Sequence, residues 1–279
     1  MTPDPKSLAD LLHFYRDAGV DIALEAEPVD RLAQGVARQA AKEQSTPERG
    51  DFPRLGETRE AAPPPSSAQP ALAVPDEAQV ARARAEARDA KTLEELRERL
   101  AAFDGCNLKF TAKNLVFADG NPEGGLMLIG EAPGRDEDLE GLPFVGRSGK
   151  LLDRMLAAIG LDRTKVYIAN TVPWRPPGNR TPTELETEIC RPFIERQIEL
   201  ADPKVLVSLG APSARTLMGV KEGILRARGK WRTHTTASGK DIPGMPTLHP
   251  AYLLRNPAHK KLAWRDFLEI KARLAATGE

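Results

Sequence analysis

The sequence predicts an α/β protein whose mainly parallel sheet is covered by helices on both faces. Short apolar segments of strand length alternate with longer segments of helical period through the second half of the chain. Such alternation indicates parallel strands joined by crossover helices. Three motifs, "GEAPG", "NTVPWRPPGNR" and "HPAYLLRNP", follow or end predicted strands. In sheets of this kind the functional site lies beyond the carboxyl ends of the strands.

Five segments have strand character and four have helical character. The predicted strands are residues 114–118, 126–130, 166–170, 204–210 and 245–250, and the predicted helices are residues 148–160, 183–201, 212–218 and 257–275. Because parallel strands end at one edge of the sheet, the motifs that follow them are expected to meet there.

The first part of the chain has a different organisation. Residues 1–43 are predicted to form a helical segment, because apolar residues lie on one face of a helix over residues 7–19. This helix either docks a partner or packs on the main domain. Residues 44–76 are rich in Pro, Ala and Ser and are predicted to be a flexible linker. Residues 77–279 form the main domain, which opens with a charged helical run and a capping box at Thr92 and Glu95.

Composition excludes several classes of protein. The chain has 279 residues and is 41% hydrophobic, which is enough for a sizeable core. No apolar run approaches the roughly 18 residues needed to span a bilayer, and the amino terminus lacks the features of a secretory signal. A cytoplasmic location is therefore predicted.

The net charge of zero hides a strong asymmetry. Residues 204–279 contain 14 basic and 5 acidic residues, which gives this part a net charge of +9. Its cations are interleaved with Trp231, His259 and Trp264. A polyanion is the natural partner of such a surface, and a solvated basic face is the alternative.

Four side chains at strand ends or in the adjoining loop are candidate functional groups. Glu131, after a strand, can orient or deprotonate a water, or cap the next helix. Phe144 can stack on a flat ligand, or pack in the core. Asn170 can read the edge of a heterocycle, or serve as a turn residue. His249, restricted by Pro250 to an extended backbone, can donate to a developing negative charge.

Two other kinds of site are disfavoured. The segment "GRSGKLL", whose helix is predicted to be capped by Ser148, has Leu151 where a phosphate loop needs a hydroxyl. A nucleotide hydrolase is therefore disfavoured. The histidines have no metal-ligand spacing, and no Cys-x-x-Cys occurs.

Taken in order, "GEAPGRDED", "PFVGRSGKLL", "YIANTVPWRPPGNRTPT" and "HPAYLLRNP" resemble the family 4 uracil-DNA glycosylases of bacteria and archaea. The resemblance covers residues 103–274, roughly the last two-thirds of the chain. It implies a three-layer α/β/α sandwich with a central four-stranded, mainly parallel sheet. It also implies removal of uracil from DNA by extrusion of the nucleotide and hydrolysis of its glycosidic bond.

The resemblance assigns roles to individual residues. Glu131 matches the acid that positions the hydrolytic water, Glu137 a second catalytic acid of that loop, and His249 the histidine at uracil O2. The predicted substrate-binding residues are Gly130, Ala132, Phe144 and Asn170.

Four residues are predicted to bind DNA. Leu253 matches the side chain that wedges into the base stack, and the cations Arg180, Lys230 and Arg255 are expected at the phosphate backbone. The predicted partner is uracil-containing DNA, single- or double-stranded, and residues 1–43 are a candidate docking segment for a repair protein. The protein is expected to be a monomer without membrane association.

The chain departs from the family at its iron-sulfur site. Most members carry a [4Fe-4S] cluster on four cysteines, whereas here Phe103 and Trp174 occupy two ligand positions and only Cys106 and Cys190 remain. Two thiolates cannot hold a cluster that needs four ligands. We predict that the protein contains no cluster and that the two cysteines are remnants of the site.

Three functions remain open from the sequence. The first is a monofunctional glycosylase that turns over, because "EDLEGLPFVGRSG" lacks the basic insertion found in relatives that trap DNA covalently and the motifs offer no Schiff-base lysine. The second is a non-catalytic binder of uracil-containing or abasic DNA. The third is an enzyme acting on small nucleotides.

Overall fold

The computed structural model of the protein describes residues 76–277. The helical segment predicted over residues 1–43 and all but the last residue of the predicted linker lie outside this range. The described part contains one mixed sheet. Its strands are β1 (Asp119–Gly120), β2 (Leu126–Gly130), β3 (Val166–Asn170), β4 (Val205–Leu209), β5 (Arg232–Thr235) and β6 (Asp241–Thr247).

Helices connect and cover these strands. The α-helices are α1 (Asp76–Asp89), α2 (Leu93–Ala102), α3 (Leu108–Thr111), α4 (Arg135–Glu140), α5 (Arg147–Ala158), α6 (Glu184–Ala201), α7 (Ala211–Met218), α8 (Ile224–Ala227), α9 (Pro250–Arg255) and α10 (Lys260–Ala276). Three short 3-10 helices are η1 (Arg163–Lys165), η2 (Pro177–Asn179) and η3 (Pro257–His259). No helix within residues 76–277 is long and apolar enough to cross a membrane.

The strand order is β1-β3-β2-β4-β6-β5, with a parallel centre and antiparallel edges. Strands β3, β2, β4 and β6 run parallel, whereas β1 and β5 each add an antiparallel edge. The predicted α/β fold class with four central parallel strands is confirmed. In the register of β2 and β3, Gly130 lies opposite Asn170, so both strands end at the same level.

Alternate side chains of the central strands fill two separate layers. Leu126 and Leu128 of β2 pack with residues of α5 and α10, whereas Met127 and Ile129 pack with residues of α6 and α7. Every residue of β2, β3 and β4 is buried. This burial on both faces explains why these strands are continuously apolar rather than alternating.

The predicted strand over residues 114–118 is wrong. The segment is irregular because its backbone groups find partners outside any ladder: Val116 N donates to Pro173 O at 2.9 Å, and Asn114 N donates to the Asp138 carboxylate at 3.2 Å. The strand pairing instead involves Asp119 and Gly120.

Candidate active site

A cleft of about 510 Å³ opens at the carboxyl edge of the parallel strands. It is built from the loops after β2, β3, β4 and β6. Of the residues predicted for the site, it is lined by Glu131, Ala132, Glu137, Phe144, Asn170, Arg180, His249 and Arg255. Parallel strands explain this convergence, because their carboxyl ends share one edge.

Phe144 and Asn170 line the cleft, and Gly130, which does not line it, lies between their side chains. A Cβ atom on Gly130 would lie 2.4 Å from Asn170 Oδ1 and 2.7 Å from Phe144 Cζ, so only glycine fits between them. The Asn170 amide makes no hydrogen bond with another group of the described residues, which leaves both its donor and its acceptor for a ligand.

The hydrogen bonding of His249 fixes its tautomer. Its Nδ1 accepts from Ala251 N at 3.1 Å, so the single proton of the neutral ring lies on Nε2. Burial, with a smaller contribution from the charge of Arg255, lowers the pKa of His249 to about 4. The ring stacks near Phe144, with centroids 5.4 Å apart and planes 29° apart. His249 therefore offers the cleft a neutral N–H donor at physiological pH.

Glu131 is a carboxylate held in an environment that disfavours its charge. Its Oε1 is buried without a hydrogen-bond partner among the described residues. Burial raises the pKa of Glu131 above its ordinary value, and an interaction with the Thr181 side chain partly opposes this rise. A raised pKa and an unused oxygen that lines the cleft suit a general base or a group that orients water. The alternative reading as a helix cap finds no support, because the cap belongs to Glu137.

Glu137 is a buried carboxylate whose two oxygens accept from three backbone N–H groups. Oε2 accepts from Gly134 N at 3.1 Å, and Oε1 accepts from Val145 N and Gly146 N, each at 3.1 Å. Glu137 lines the cleft, and with its oxygens engaged in this way it also holds the loop in place. Its role as a second catalytic acid stays a prediction. The next helix, α5, has Gly146 as its N-cap, so the capping role predicted for Ser148 is wrong.

The predicted DNA contacts divide into three cases. Arg255 is exposed and lines the cleft. Arg180 lines it as well, but its guanidinium is paired with Glu186 through contacts of 2.8 and 2.6 Å. Lys230 is exposed but does not line the cleft.

Leu253 contradicts its predicted role as a wedge. It is 1% exposed and packs with Leu248 and Ala263, whereas Leu254 is 37% exposed. The physical reason is helical phase: in α9 the cleft is lined by Ala251, Tyr252 and Arg255, and residue 253 projects from the opposite face.

This placement predicts a difference in stability between adjacent leucines. Leu253→Ala should lower the free energy of unfolding by about 2–5 kcal/mol, because it leaves a cavity in a packed cluster. Leu254→Ala should change it by less than about 0.5 kcal/mol. Urea unfolding of both variants measures the difference, and a Leu253→Ala protein as stable as the wild type contradicts the buried placement.

Among the polar side chains that line the cleft, four were not predicted for the site from the sequence: Ser148, Asn179, Thr181 and Tyr252. The Tyr252 ring stacks on His259 at 5.6 Å, and its hydroxyl lies 2.7 Å from His259 Nδ1. The three-residue spacing of Tyr252 and Arg255 in a helix was a usable signal for Tyr252. Ser148, Asn179 and Thr181 carry no such spacing signal, because only the tertiary placement of their loops and helix brings them to the cleft.

The residues at the predicted cluster position do not fit a [4Fe-4S] group. Cys106 and Cys190 are buried with their sulfur atoms 3.9 Å apart. Phe103 and Trp174 pack in the same apolar cluster, and the Phe103 ring lies 5.2 Å from that of Phe193. The volume is therefore filled by side chains. Within residues 76–277 no group of three or more His, Cys, Asp or Glu residues could hold a metal ion.

The cleft combines a partly buried acid, an aromatic ring, an amide and a neutral imidazole. Such an arrangement can hold a flat, hydrogen-bonding base with an acid beside it. The sequence profile of the Uracil DNA glycosylase superfamily matches residues 117–268. The chain belongs to this superfamily, and the resemblance predicted from its motifs is confirmed.

Curated relatives identify a narrower group within the superfamily. The chain is 40% identical over 188 residues to the type-4 uracil-DNA glycosylase of Sulfurisphaera tokodaii, covering 64% of this chain and 84% of that protein. It is 44% identical to the type-4 enzyme of Saccharolobus solfataricus, over 61% of this chain and 81% of that protein. It is 38% identical to the type-4 enzyme of Thermotoga maritima, over 67% and 96% respectively.

Proposed function

We propose that the protein is a DNA repair enzyme that hydrolyses the N-glycosidic bond of deoxyuridine in DNA, releasing uracil and leaving an abasic site. The observation that supports this most strongly is the single cleft shared by Glu131, Phe144, Asn170 and His249. Membership of the superfamily and the names of the type-4 relatives support the same reaction.

Binding requires the nucleotide to leave the stack. A glycosidic bond inside a duplex is out of reach of side chains that line a cleft, so the base is extruded at a cost of a few kcal/mol. In the cleft, Phe144 stacks on the uracil ring and the Asn170 amide pairs with its polar edge. The net charge of +9 over residues 204–279, with Arg255 at the rim, favours the phosphate backbone.

The reaction develops opposite charges at the two ends of the breaking bond, and each charge needs to be stabilised. As the bond between C1′ and N1 breaks, its electron pair leaves with the base, and positive charge develops on the sugar. The Nε2–H of His249 donates to the uracil oxygen that gains negative charge. Glu131 orients a water towards C1′ and takes its proton as the new C–O bond forms. No motif lysine is placed to form a Schiff base, so the reaction ends at the abasic site.

Location and assembly follow from this proposal. We propose that the protein acts on uracil-containing DNA, single- or double-stranded, in the cytoplasm and in association with the nucleoid. The protein acts as a monomer, since one cleft holds all the reacting groups. Residues 1–43 are proposed to recruit a repair protein.

A base-release assay tests the proposed function. The protein is incubated with oligonucleotides that carry uracil, hypoxanthine, xanthine or no modified base, with substrate in excess. We expect free uracil beyond one equivalent per protein, and alkali-labile sites at the uracil position. Binding to uracil-containing or abasic DNA without release would favour the non-catalytic binder. Activity restricted to free nucleotides would favour the small-molecule enzyme.

We also propose that the protein functions without an iron-sulfur cluster, because aromatic side chains fill the position. Protein purified without oxygen, and a sample treated with iron and sulfide, should both lack stoichiometric iron and visible absorption. Both samples should release uracil at the same rate. Stoichiometric iron in either sample would contradict this prediction.

A further inference from the structure

The loop that carries the stacking ring has an unusual backbone. Phe144 has φ +55°, which lies in the left-handed region that residues with side chains rarely adopt. Gly149 of α5 approaches so closely that a Cβ atom there would lie 1.6 Å from Phe144 O. A residue held in such a conformation needs surrounding contacts that impose it.

Two side chains of opposite charge supply those contacts. Arg163 donates from Nη1 to Pro143 O at 3.1 Å and from Nη2 to Phe144 O, so it binds the carbonyl on each side of the Phe144 Cα. Glu137 accepts from Val145 N and Gly146 N. The peptide bond between residues 144 and 145 is thus bound at its carbonyl by a cation and at its amide by an anion.

Arg163 is itself held on two other sides. Its Nε donates to Asp153 at 2.8 Å and its Nη1 donates to Asp119 at 2.5 Å. Four of its five N–H donors are therefore used, in a planar group whose geometry is rigid. Arg163 joins β1, α5 and the loop of Phe144 at one point. Nothing in its sequence context distinguishes it from the other arginines of the chain.

We propose that Arg163 is a positioning residue for uracil binding, which fixes the Phe144 ring at the stacking distance. This inference rests on the proposed function of the cleft. The ring tip is close to Gly130, where a Cβ atom would lie 2.7 Å from Phe144 Cζ, and the ring stacks near His249 at 5.4 Å. A small rotation of residue 144 therefore moves a ring that lines the cleft. Misplacement by about 1 Å is enough to cost about a hundredfold in rate.

The test compares arginine variants of matched environment. Arg163→Lys keeps the positive charge for Asp119 and Asp153, but a single ammonium cannot reproduce the fork that binds both carbonyls. Arg163→Gln removes the charge as well. Arg196→Lys is the control, because Arg196 also binds a backbone carbonyl, that of Ala90, and an acid, and its side chain is 23% exposed against 24% for Arg163.

Two measurements separate positioning from folding. The first is inhibition by free uracil, whose inhibition constant does not depend on the fraction of protein that is folded. The second is the single-turnover rate on uracil-containing DNA, together with the melting temperature. We expect both Arg163 variants to bind free uracil at least about tenfold more weakly and to lose about 10- to 100-fold in the single-turnover rate. Arg196→Lys should change neither by more than about twofold.

Asp153→Asn gives a milder variant if Arg163→Gln fails to fold. Asp153 is half exposed, so its loss leaves the core intact while removing one anchor of Arg163. It should weaken uracil inhibition in the same direction. Inhibition constants equal to those of the control would overturn the inference, while a wild-type protein that releases no uracil would overturn the proposed function and this inference with it.

Discussion

Replacing Glu131 with Gln is expected to lower the single-turnover rate of uracil release by about 10²- to 10⁴-fold, the range for loss of a general base. The amide has nearly the same shape, so DNA binding should be unchanged. The reason lies in the placement of the carboxylate. Its Oε1 is buried without a partner in the described residues, the side chain lines the cleft, and the proposed reaction needs a proton acceptor there. Rapid-quench measurement with enzyme in excess of the uracil oligonucleotide gives the rate directly.

The raised pKa of Glu131 gives this prediction a pH dependence. Glu131 must be ionised to accept a proton, so the wild-type rate should fall as pH drops through a pKa above the ordinary value for Glu. The rate of the Gln variant should not show this fall at low pH.

The raised pKa of Glu131 also affects stability. Because burial disfavours the ionised form, the wild-type protein loses stability as pH rises through the raised pKa. Glu131→Gln should therefore melt at a higher temperature than the wild type at neutral pH, and at the same temperature near pH 4, about the ordinary Glu pKa.

Glu140→Gln is the matched control for charge. Glu140 is an exposed acid at the end of α4 and does not line the cleft. Its loss should leave rate, pH profile and melting temperature unchanged. A Glu131→Gln protein that releases uracil at the wild-type rate would remove Glu131 from the mechanism.

Strand bounds could be predicted where burial was complete. β2 and β3 match the predicted ranges because both faces of a parallel strand are covered, and Gly130 and Asn170 mark their ends. The edge strand β5 was missed since only His234 of its four residues is buried, which leaves no apolar pattern to read. It pairs with β6 across a short turn over residues 236–240, which the sequence analysis did not recognise.

The site was predictable in its chemistry but not in its contacts. Glu131 directly follows β2 and Asn170 ends β3, whereas Phe144 lies in the loop before α5 and His249 is the N-cap of α9. All four line the one cleft. The contacts of Glu137 were not predicted, because its three backbone partners are spread over residues 134–146. Leu253 was misread because a matching motif does not specify which face of a short helix packs inward. Pairings that depend on tertiary approach, such as that of Arg163 with Phe144, leave no trace in residue spacing.

His249 is expected to have the second largest effect. His249→Ala should lower the single-turnover rate by about 10²- to 10³-fold, the range for loss of a donor to a developing anion. The imidazole remains neutral because its pKa is lowered to about 4, so the wild-type rate should show no inflection at the pKa of an ordinary histidine, about 6.5. Rapid-quench rates across pH measure both.

The side chain of His249 has a structural role that must be separated from its chemical one. Its Nδ1 caps α9 by accepting from Ala251 N, and loss of a cap costs about 0.5–2 kcal/mol. His249→Asn retains a side-chain oxygen suited to this cap but is too short to place a donor where Nε2 lies. The Asn variant should therefore melt close to the wild type and yet be as slow as the Ala variant. Recovery of the rate in the Asn variant would show that the cap, and not the donor, is what the reaction needs.

A change of leaving group distinguishes the role of His249, at the departing base, from that of Glu131, at the sugar. If His249 stabilises charge on the departing base, His249→Asn should lose less activity on 5-fluorouracil than on uracil, because the fluorine already stabilises the anion. Glu131→Gln should lose the same factor on both substrates, because Glu131 acts on the water and the sugar. If His249→Asn loses the same factor on both bases, His249 does not stabilise the leaving group.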